Sequence, residues 1–479
     1  MNYKMVFSII GKVMVIEAFL MIFPLLVGVI YTEDVYLAFL VPMAALTVIG
    51  LPLSFIKTQE KSIYAKEGFV TVALTWIIMS LFGALPFVLS GQIPNFVDAV
   101  FETVSGFTTT GSSILLEVES LYNSIQFWRL FTHWIGGMGV LVFVLAILPA
   151  SESGIMHVFR AEAPGPSVGK LVSKLTFTAR ILYGIYMVLT VVEVVFLLCG
   201  NMPFFDSVLH SFSTAGTGGF GLKNNSIAYY DSAYIEMVIA VFMFIFSINF
   251  NLFYLILIGN FKKAFKSEEL RTFAIIILVA TLAIAINLLS TGIQFGRAIR
   301  YSFFQVSSIG STTGFSSTDF NEWPAFSKTV LLVLTIVGAC GGSTGGGIKV
   351  SRLIILGKSS YKDVKKMLHP RSAVTIKFDG EPIERNVERG VRSYFVIWVI
   401  IVVLCTLLLS LDFNDILTNF AATLACIGNV GPGLNAVGPM GNYAFYSPFS
   451  KVLLSFVMLA GRLEIFPMLI LFAPHTWRK

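Results

Sequence analysis

Charge is scarce in this chain of 479 residues. Only 13% of its residues are Asp, Glu, Lys or Arg and 56% are hydrophobic, whereas about a quarter of a soluble protein is charged. Windows of about 18 to 25 residues with almost no charge recur along the whole length, and each is long enough to cross a bilayer as a helix. This composition excludes an ordinary soluble domain and predicts an all-α polytopic membrane protein.

Motifs for metal binding and catalysis are missing as well. The four cysteines (Cys199, Cys340, Cys405 and Cys426) lie in or beside apolar segments without metal-ligand spacing, so we expect buried thiols with no chemistry. The chain has no Ser-His-Asp set, and its glycine run at 341–347 lacks the spacing of a phosphate-binding loop. We therefore expect no enzyme and no organic cofactor. We also expect no nucleic-acid partner, because the basic residues behind the net charge of +6 are distributed as membrane topology requires.

Ten apolar segments are predicted to cross the membrane. They are 8–30, 36–56, 68–90, 126–149, 180–200, 234–259, 272–291, 327–350, 393–411 and 449–473. We interpret the first as a spanning helix rather than a removed signal peptide, because no small-residue cleavage pattern follows it.

Four shorter, half-apolar segments lie between later pairs of spans, at 96–107, 204–214, 296–308 and 414–426. A helix of about a dozen residues reaches only about halfway through a ~30 Å hydrocarbon core, so the chain after it must turn back inside the membrane. The repeating unit is therefore span, half-helix, re-entrant loop, span. It predicts a two-helix preface (1–67) followed by four parallel repeats around one central pore, at 68–178, 179–271, 272–391 and 392–479.

Each half-helix is followed by a glycine-containing loop. The four loops are Ser105–Ser113, Ser213–Gly221, Ser308–Ser316 and Cys426–Leu434. Aligned on their glycines, the central positions are Thr109, Thr110 and Gly111; Thr217, Gly218 and Gly219; Thr312, Thr313 and Gly314; and Asn429, Val430 and Gly431.

These loops suit a cation. The C-terminal end of a half-helix carries partial negative charge, and glycine lets the following backbone turn its carbonyls toward an axis. Carbonyls from four loops can replace the hydration shell of a monovalent cation, and the absence of carboxylates argues against a divalent-cation site. In the alternative interpretation, Gly and Thr merely allow close helix packing.

The distribution of basic residues orients the chain. With the N-terminus inside, only six of the 33 Lys and Arg residues fall outside, and Arg462 lies within a span. The six are Arg129, Lys223, Arg297, Arg300, Lys328 and Lys451. This bias predicts cytoplasmic termini and places all four loops on the outer side.

The four loops, together with the run His133–Gly139 (His-Trp-Ile-Gly-Gly-Met-Gly), resemble the Trk/Ktr/HKT superfamily of potassium transporters. The two extra N-terminal helices make the bacterial TrkH/TrkG potassium-uptake proteins the closest match. The resemblance implies potassium uptake across the bacterial inner membrane through a filter of loop carbonyls. Because Gly111 stands where some sodium-favouring plant relatives have Ser, it points to potassium as the transported ion.

The eighth span is interrupted by a glycine-rich segment. Its residues are Gly338, Ala339, Cys340, Gly341, Gly342, Ser343, Thr344, Gly345, Gly346 and Gly347. Each glycine inside a helix costs about 1 kcal/mol relative to Ala, so we expect unwound backbone that lines the pore. The resemblance implies that this segment obstructs permeation as a gate; the alternative is a kink that serves helix packing.

Arg462 lies near the middle of the last span. A charge there costs about 2.5 to 3.5 kcal/mol on insertion scales, so it is expected to face the bundle interior or a wet cavity. Glu464 is two residues away and therefore on another helix face. We expect Arg462 to raise the electrostatic barrier to cations below the filter, with a salt bridge to another helix as the alternative.

Other polar residues have structural interpretations. We expect His133 and Trp134 to serve helix packing, and Asp98, Asp206 and Asp415 to cap half-helices. Glu102 is expected either to cap its half-helix or to concentrate cations at the pore mouth.

Two segments predicted to be cytosolic are candidates for contact with lipid or with a partner protein. The basic segment Ser351–Arg392 is suited to contact lipid headgroups. The resemblance implies that this segment and the loop Glu152–Lys174 bind a cytosolic, nucleotide-binding regulatory ring of the TrkA type, and that the chain forms a homodimer. An ion-coupled secondary transporter for K⁺ or Na⁺ is the alternative function, because broken helices and internal repeats occur there too.

Overall fold

The computed structural model describes residues 1–56, 65–139, 175–371 and 374–477, and it is mostly helical. The second half of the predicted span 126–149 and the predicted docking loop Glu152–Lys174 lie outside the described residues. The same holds for positions 57–64 and for the two C-terminal residues.

The N-terminal preface is a helical hairpin. It consists of α1 (Tyr3–Leu20), α2 (Ile22–Ile30) and α3 (Tyr36–Ser54). Gly11 of α1 and Gly50 of α3 bring the two backbones together, because a Cβ at either position would approach the other helix to within 3.0 Å. The pair then packs on the next helix along the chain, α4 (Ala65–Gly83).

Four consecutive sets of helices, here called quarters, follow the preface. The first has α4, α5 (Leu85–Leu89), α6 (Phe96–Phe107) and α7 (Asn123–Gly137). The second has α8 (Leu175–Cys199), α9 (Phe204–Gly216), α10 (Ala233–Phe246), α11 (Phe250–Leu257) and α12 (Phe261–Phe265). The third has α13 (Glu268–Leu289), α14 (Phe295–Gly310), α15 (Ala325–Val337) and α16 (Val350–Leu368). The fourth has α17 (Arg385–Leu409), α18 (Ile416–Gly428), α19 (Pro448–Arg462), α20 (Phe466–Phe472) and α21 (Pro474–Trp477).

Short 3₁₀ turns and one small hairpin complete the described structure. The turns are Ser226–Tyr230, Phe320–Glu322, Ser410–Asp412 and Asn435–Val437. The hairpin pairs β1 (Lys377–Phe378) with β2 (Glu381–Pro382) in antiparallel register.

The quarters close into a ring. Each short helix (α6, α9, α14 and α18) packs against the two helices that flank it in its own quarter. Each also packs against the second long helix of the preceding quarter: α9 on α7, α14 on α10, and α18 on α15. The first short helix, α6, packs on α19 of the last quarter. The fold is therefore a polytopic helical protein whose four quarters surround a common axis.

The helices differ from ten uninterrupted spans. Among the described residues, six helices are long and apolar enough to cross a membrane alone, or seven if one bent pair counts as a single span. The predicted span 234–259 is wrong as a continuous helix, because it bends by 91° between α10 and α11. The predicted span 449–473 likewise breaks between α19 and α20, where Glu464 and Ile465 have positive φ.

The breaks expose backbone groups that a continuous helix would satisfy. At the bend in the second quarter, Ser247 O accepts a hydrogen bond from Cys340 N (3.1 Å) and Phe250 N donates to Gly342 O (3.0 Å). The partners come from the glycine-rich segment of the third quarter. Since irregular backbone inside a membrane needs internal partners, the two irregularities stabilise each other.

Several smaller expectations have mixed outcomes. Asp415 caps α18, as predicted, but Asp98 instead pairs with Lys451 (2.6 Å) and Asp206 accepts a hydrogen bond from the Tyr230 hydroxyl (2.6 Å). Cys199 is exposed, contrary to expectation, whereas the other three cysteines are buried. The basic segment Ser351–Arg392 contains regular secondary structure, since α16 and the hairpin occupy much of it.

Candidate cation filter and the segment beneath it

The four loops share one backbone conformation. One or two residues after each short helix ends, a residue is left-handed, with φ between 52° and 64°, and the glycine two positions later has φ between 78° and 92°. The left-handed residues are Thr109, Thr217, Thr312 and Asn429, and the glycines are Gly111, Gly219, Gly314 and Gly431. Because left- and right-handed residues alternate, successive peptide planes can turn their carbonyls to one side of the loop.

The same hydrogen bonds cap all four short helices. The amide after the left-handed residue donates to the carbonyl five residues earlier, as in Thr110 N to Ser105 O (2.9 Å) and Gly218 N to Ser213 O (2.9 Å). Thr313 N to Ser308 O (2.8 Å) and Val430 N to Ala425 O (2.9 Å) complete the set. This is the Schellman cap, which normally has glycine at the left-handed position. Threonine there is strained by about 1 to 3 kcal/mol, which is typical of functional sites.

The loops lie against one another in a closed ring. A Cβ on any of the four glycines would come within 3.0 Å of a carbonyl oxygen of the next loop. Gly111 meets Gly218 O, Gly219 meets Thr313 O, Gly314 meets Val430 O, and Gly431 meets Thr110 O. The residues predicted for the filter are thus brought together, and the ring closes from the fourth loop to the first.

Side chains hold the ring from outside. The Asn429 amide donates to Thr110 Oγ1 (2.9 Å) and to Met458 O (3.0 Å), so the fourth loop is tied to the first. Gly431 differs from the other glycines, because its carbonyl accepts hydrogen bonds from the Tyr443 hydroxyl (2.8 Å) and Ser112 Oγ (3.3 Å). That carbonyl is engaged by the protein itself, which makes it the weakest ligand candidate of the predicted set.

The glycine-rich segment, residues 338–347, lies directly beneath the third loop. Gly346 N donates to Thr312 Oγ1 (2.6 Å), and the Thr344 hydroxyl donates to Phe246 O (3.1 Å) at the end of α10. Gly338, Gly342 and Gly347 have positive φ, so three of its turns need glycine. The unwound backbone predicted for this span is confirmed by the gap between α15 and α16.

Arg462 joins this segment to two further quarters. At the end of α19, its guanidinium donates to Thr344 O (2.7 Å) in the glycine-rich segment. It also donates to Gly136 O (2.6 Å) and Gly137 O (2.7 Å) at the end of α7. Glu464 pairs with Arg352. It lies in the break after α19 rather than on another face of the same helix.

Comparisons with known proteins identify the family of the chain. Residues 38–479 match the family model for TrkH, described as a cation transport protein. The chain belongs to the TrkH family of cation transport proteins.

Named relatives cover the chain from end to end. It is 35% identical over 489 residues to "Trk system potassium uptake protein TrkH" of Salmonella typhimurium, with all of both chains covered. It is 32% identical to "Trk system potassium uptake protein TrkG" of Escherichia coli, with 95% of each covered. The solved "Crystal Structure of the Potassium Transporter TrkH from Vibrio parahaemolyticus" superposes with a TM-score of 0.90 at 32% identity, covering all of both chains.

In this TrkH-family chain, a buried ion pair lies behind the first loop, and no pattern in the sequence was strong enough to predict it. Arg129 and Glu102 pair at 2.6 Å, with side chains 2% and 0% exposed. Glu102 also accepts hydrogen bonds from Ser113 Oγ (2.9 Å) and Ile114 N (3.0 Å), which follow the first loop. Arg129 donates to Gly221 O (3.1 Å) after the second loop. The pair therefore fastens the ends of two adjacent loops of the ring.

In each of the other quarters a different side chain of the short helix makes a polar contact that supports the loop. His210 Nε2 lies 3.0 Å from the Tyr230 hydroxyl in the second quarter. Gln305 donates to Thr318 O (3.4 Å) in the third. In the fourth, the Tyr446 hydroxyl donates to Asn419 Oδ1 (2.9 Å). In all four quarters a side chain of the short helix contacts the chain that follows its loop.

His133 and Trp134 take part in packing, as expected. His133 stacks on Phe220 with ring centroids 4.3 Å apart, and its Nδ1 lies 3.1 Å from Ser213 Oγ. Trp134 stacks on Tyr186 at 5.5 Å.

Lys349 lies at the end of the predicted span 327–350, next to the basic segment Ser351–Arg392, and it is buried, with 2% of its surface exposed. It has φ of 80°, and its ammonium donates to Gly345 O inside the glycine-rich segment. Position alone could not reveal this, because the sequence places Lys349 at the edge of a basic run. Together with Arg462, it puts two cations next to the segment.

The ring geometry predicts that Gly111 tolerates no side chain. Gly111→Ala adds a Cβ where Gly218 O already lies and forces a positive φ on alanine, which alone costs about 1 to 3 kcal/mol. We expect a lower apparent midpoint of thermal unfolding and loss of ion flux. Gly357→Ala is the matched control, because its Cβ would meet nothing within 4 Å in helix α16. Equal behaviour of the two variants would contradict the ring packing.

The buried ion pair predicts a dependence of each partner on the other. Arg129→Met leaves the Glu102 carboxylate buried without its cation and should destabilise the protein by about 3 to 5 kcal/mol. Adding Glu102→Gln removes the uncompensated charge while keeping an acceptor for Ser113, so the double variant should unfold at a higher temperature than Arg129→Met alone. Thermal unfolding of the purified protein measures both. Additive losses would show that the two side chains act independently.

Proposed function

We propose that this protein carries potassium into the cell through the four-loop ring, with passage limited by the glycine-rich segment and Arg462. The observation that carries the proposal is the closed ring of four loops with one backbone conformation, each placed at the C-terminal end of a short helix. The printed names of the relatives, which are potassium uptake proteins, support the choice of ion.

The chemistry of the ring favours a monovalent cation. Up to three carbonyls per loop, at the levels of Thr109, Thr110 and Gly111 and their equivalents, can replace the water shell of an ion, with Gly431 O the weakest of the set. The short helices present the negative ends of their dipoles to the same place. The loops contain no carboxylate, so they offer no acidic ring of the kind that holds a divalent cation.

The glycine-rich segment is suited to block the path beneath the ring because it is connected to all four quarters, to the first only through Arg462. It bonds to Thr312 in its own quarter and to Phe246 in the second. Through Thr344 and Arg462 it is joined to the fourth quarter and to the end of α7 in the first. A segment held from every side of the axis occupies the space that an ion leaving the filter must cross.

Location and partners follow the same proposal. We assign the chain to the bacterial inner membrane with both termini cytoplasmic, as a homodimer regulated by a cytosolic, nucleotide-binding ring of the TrkA type. The basic segment Ser351–Arg392 is suited to a cytosolic docking role. Its helix α16 begins just after the glycine-rich segment, so a partner bound to α16 is connected directly to that segment.

Rubidium flux into proteoliposomes tests the function. We expect uptake down a rubidium gradient, competition by potassium, and no requirement for a proton or sodium gradient. Strict dependence on a second ion would instead favour an ion-coupled secondary transporter. Liposomes that contain the Gly111→Ala variant provide the background flux.

Removing Arg462 should lower the barrier to cations. A unit charge about 8 Å from the path contributes about 2 kcal/mol at an effective dielectric constant of about 20, equivalent to roughly thirtyfold in rate. We therefore expect Arg462→Ala, and separately a deletion of residues 342–345, to raise rubidium flux. Arg297→Ala, an exposed arginine of α14, is the control for loss of positive charge. Parental flux in well-folded Arg462→Ala would exclude the barrier role.

A further inference from the structure

The first turn of α13 brings a buried carboxylate to the glycine-rich segment. Glu269 is 5% exposed, and its Oε1 accepts hydrogen bonds from Gly341 N (2.7 Å) and Ser351 N (3.0 Å). Gly341 lies near the beginning of the segment and Ser351 lies just after its end, in the first turn of α16. One oxygen atom therefore holds the two ends of the segment together.

Both amides need an acceptor from elsewhere. Ser351 N is one of the donors that the first turn of a helix leaves unpaired, and Gly341 N lies in irregular backbone within the membrane region. Bonds to an ionised carboxylate are roughly twice as strong as bonds between neutral groups. The position of Glu269 in the first turn of its own helix also favours negative charge.

We infer that Glu269 is the latch of the glycine-rich segment, a positioning residue that keeps the segment folded beneath the filter by fastening its ends to each other and to α13. The inference rests on the proposed function for its consequence, since an unfastened segment opens the path only if the segment is the barrier.

The neighbouring glutamate provides a matched comparison. Glu268 pairs with Lys358 of α16, and its amide donates to Asp379 Oδ1 (2.6 Å) in the turn between β1 and β2. It carries the same charge one residue away, but its bonds run to the cytosolic hairpin and α16 rather than to the segment.

Hydrogen exchange of the full-length protein in lipid nanodiscs tests the latch through peptides that cover residues 338–351. Glu269→Met keeps the side-chain volume and removes the acceptor, which directly frees only two amides, Gly341 and Ser351. If the latch holds the whole segment, local opening should expose further amides, such as Ala339, Gly346 and Val350, which are bonded elsewhere. We expect a gain of about four or more deuterons in Glu269→Met.

Two further variants calibrate this result. Glu269→Gln retains a weaker, neutral acceptor and should fall between the parent and Glu269→Met. Glu268→Gln should leave these peptides at the parental level while exchange in the hairpin rises. A gain limited to two deuterons in Glu269→Met, or an equal gain in Glu268→Gln, would overturn the latch. If Glu269→Met does not fold, a gain of two deuterons or fewer in Glu269→Gln overturns the latch and a larger gain supports it.

Flux separates the latch from the proposed function. Exchange is measured without ion transport, so its outcome does not depend on what the segment blocks. Faster exchange together with raised rubidium flux supports both statements. Faster exchange with parental flux in Glu269→Met supports the latch and counts against the segment as the barrier.

Discussion

The structure depends on the absence of a side chain at four places. Where Gly111, Gly219, Gly314 and Gly431 would carry a Cβ, the carbonyl of the adjacent loop is already present. The width of the ring is therefore set by contact between backbones, which have far less freedom than side chains. Polar side chains such as Thr110 and Asn429 act behind the ring, where they fix one loop to the next without lining it.

The left-handed residues of the ring are strained, and hydrogen bonds next to them offset part of the cost. Three threonines and one asparagine adopt a left-handed conformation that glycine would adopt without strain. Each strained residue ends a short helix through the same pair of backbone hydrogen bonds, which satisfies carbonyls that the helix end leaves unpaired. The retained side chain also has a use in the third quarter, where Thr312 Oγ1 accepts the amide of Gly346. The ring of loops and the glycine-rich segment are thereby connected by one hydroxyl.

Much of this could be predicted from the sequence, since it depends on local signals. Short apolar segments followed by glycine indicated the half-helices, and the run from Gly338 to Gly347 indicated unwound backbone. The bend after Phe246 could not be predicted, because its unpaired backbone groups are satisfied by residues almost a hundred positions away. The break at Glu464 and Ile465 has positive φ without glycine, and the burial of Lys349 depends on the folded segment around it. Contacts of this kind are tertiary and leave no periodic pattern in the chain.

The four loop supports have a consequence of their own. Glu102 with Arg129, His210 with Tyr230, Gln305 with Thr318, and Asn419 with Tyr446 do the same task with different chemical groups. In a ring built from four identical subunits, every substitution would appear four times and every support would fail under the same condition. Here one gene encodes all four quarters, so acid, heat or a single mutation acts on one side of the ring first. The four quarters should therefore lose their structure one at a time under denaturing conditions, and any distortion of the ring should begin in one identifiable quarter.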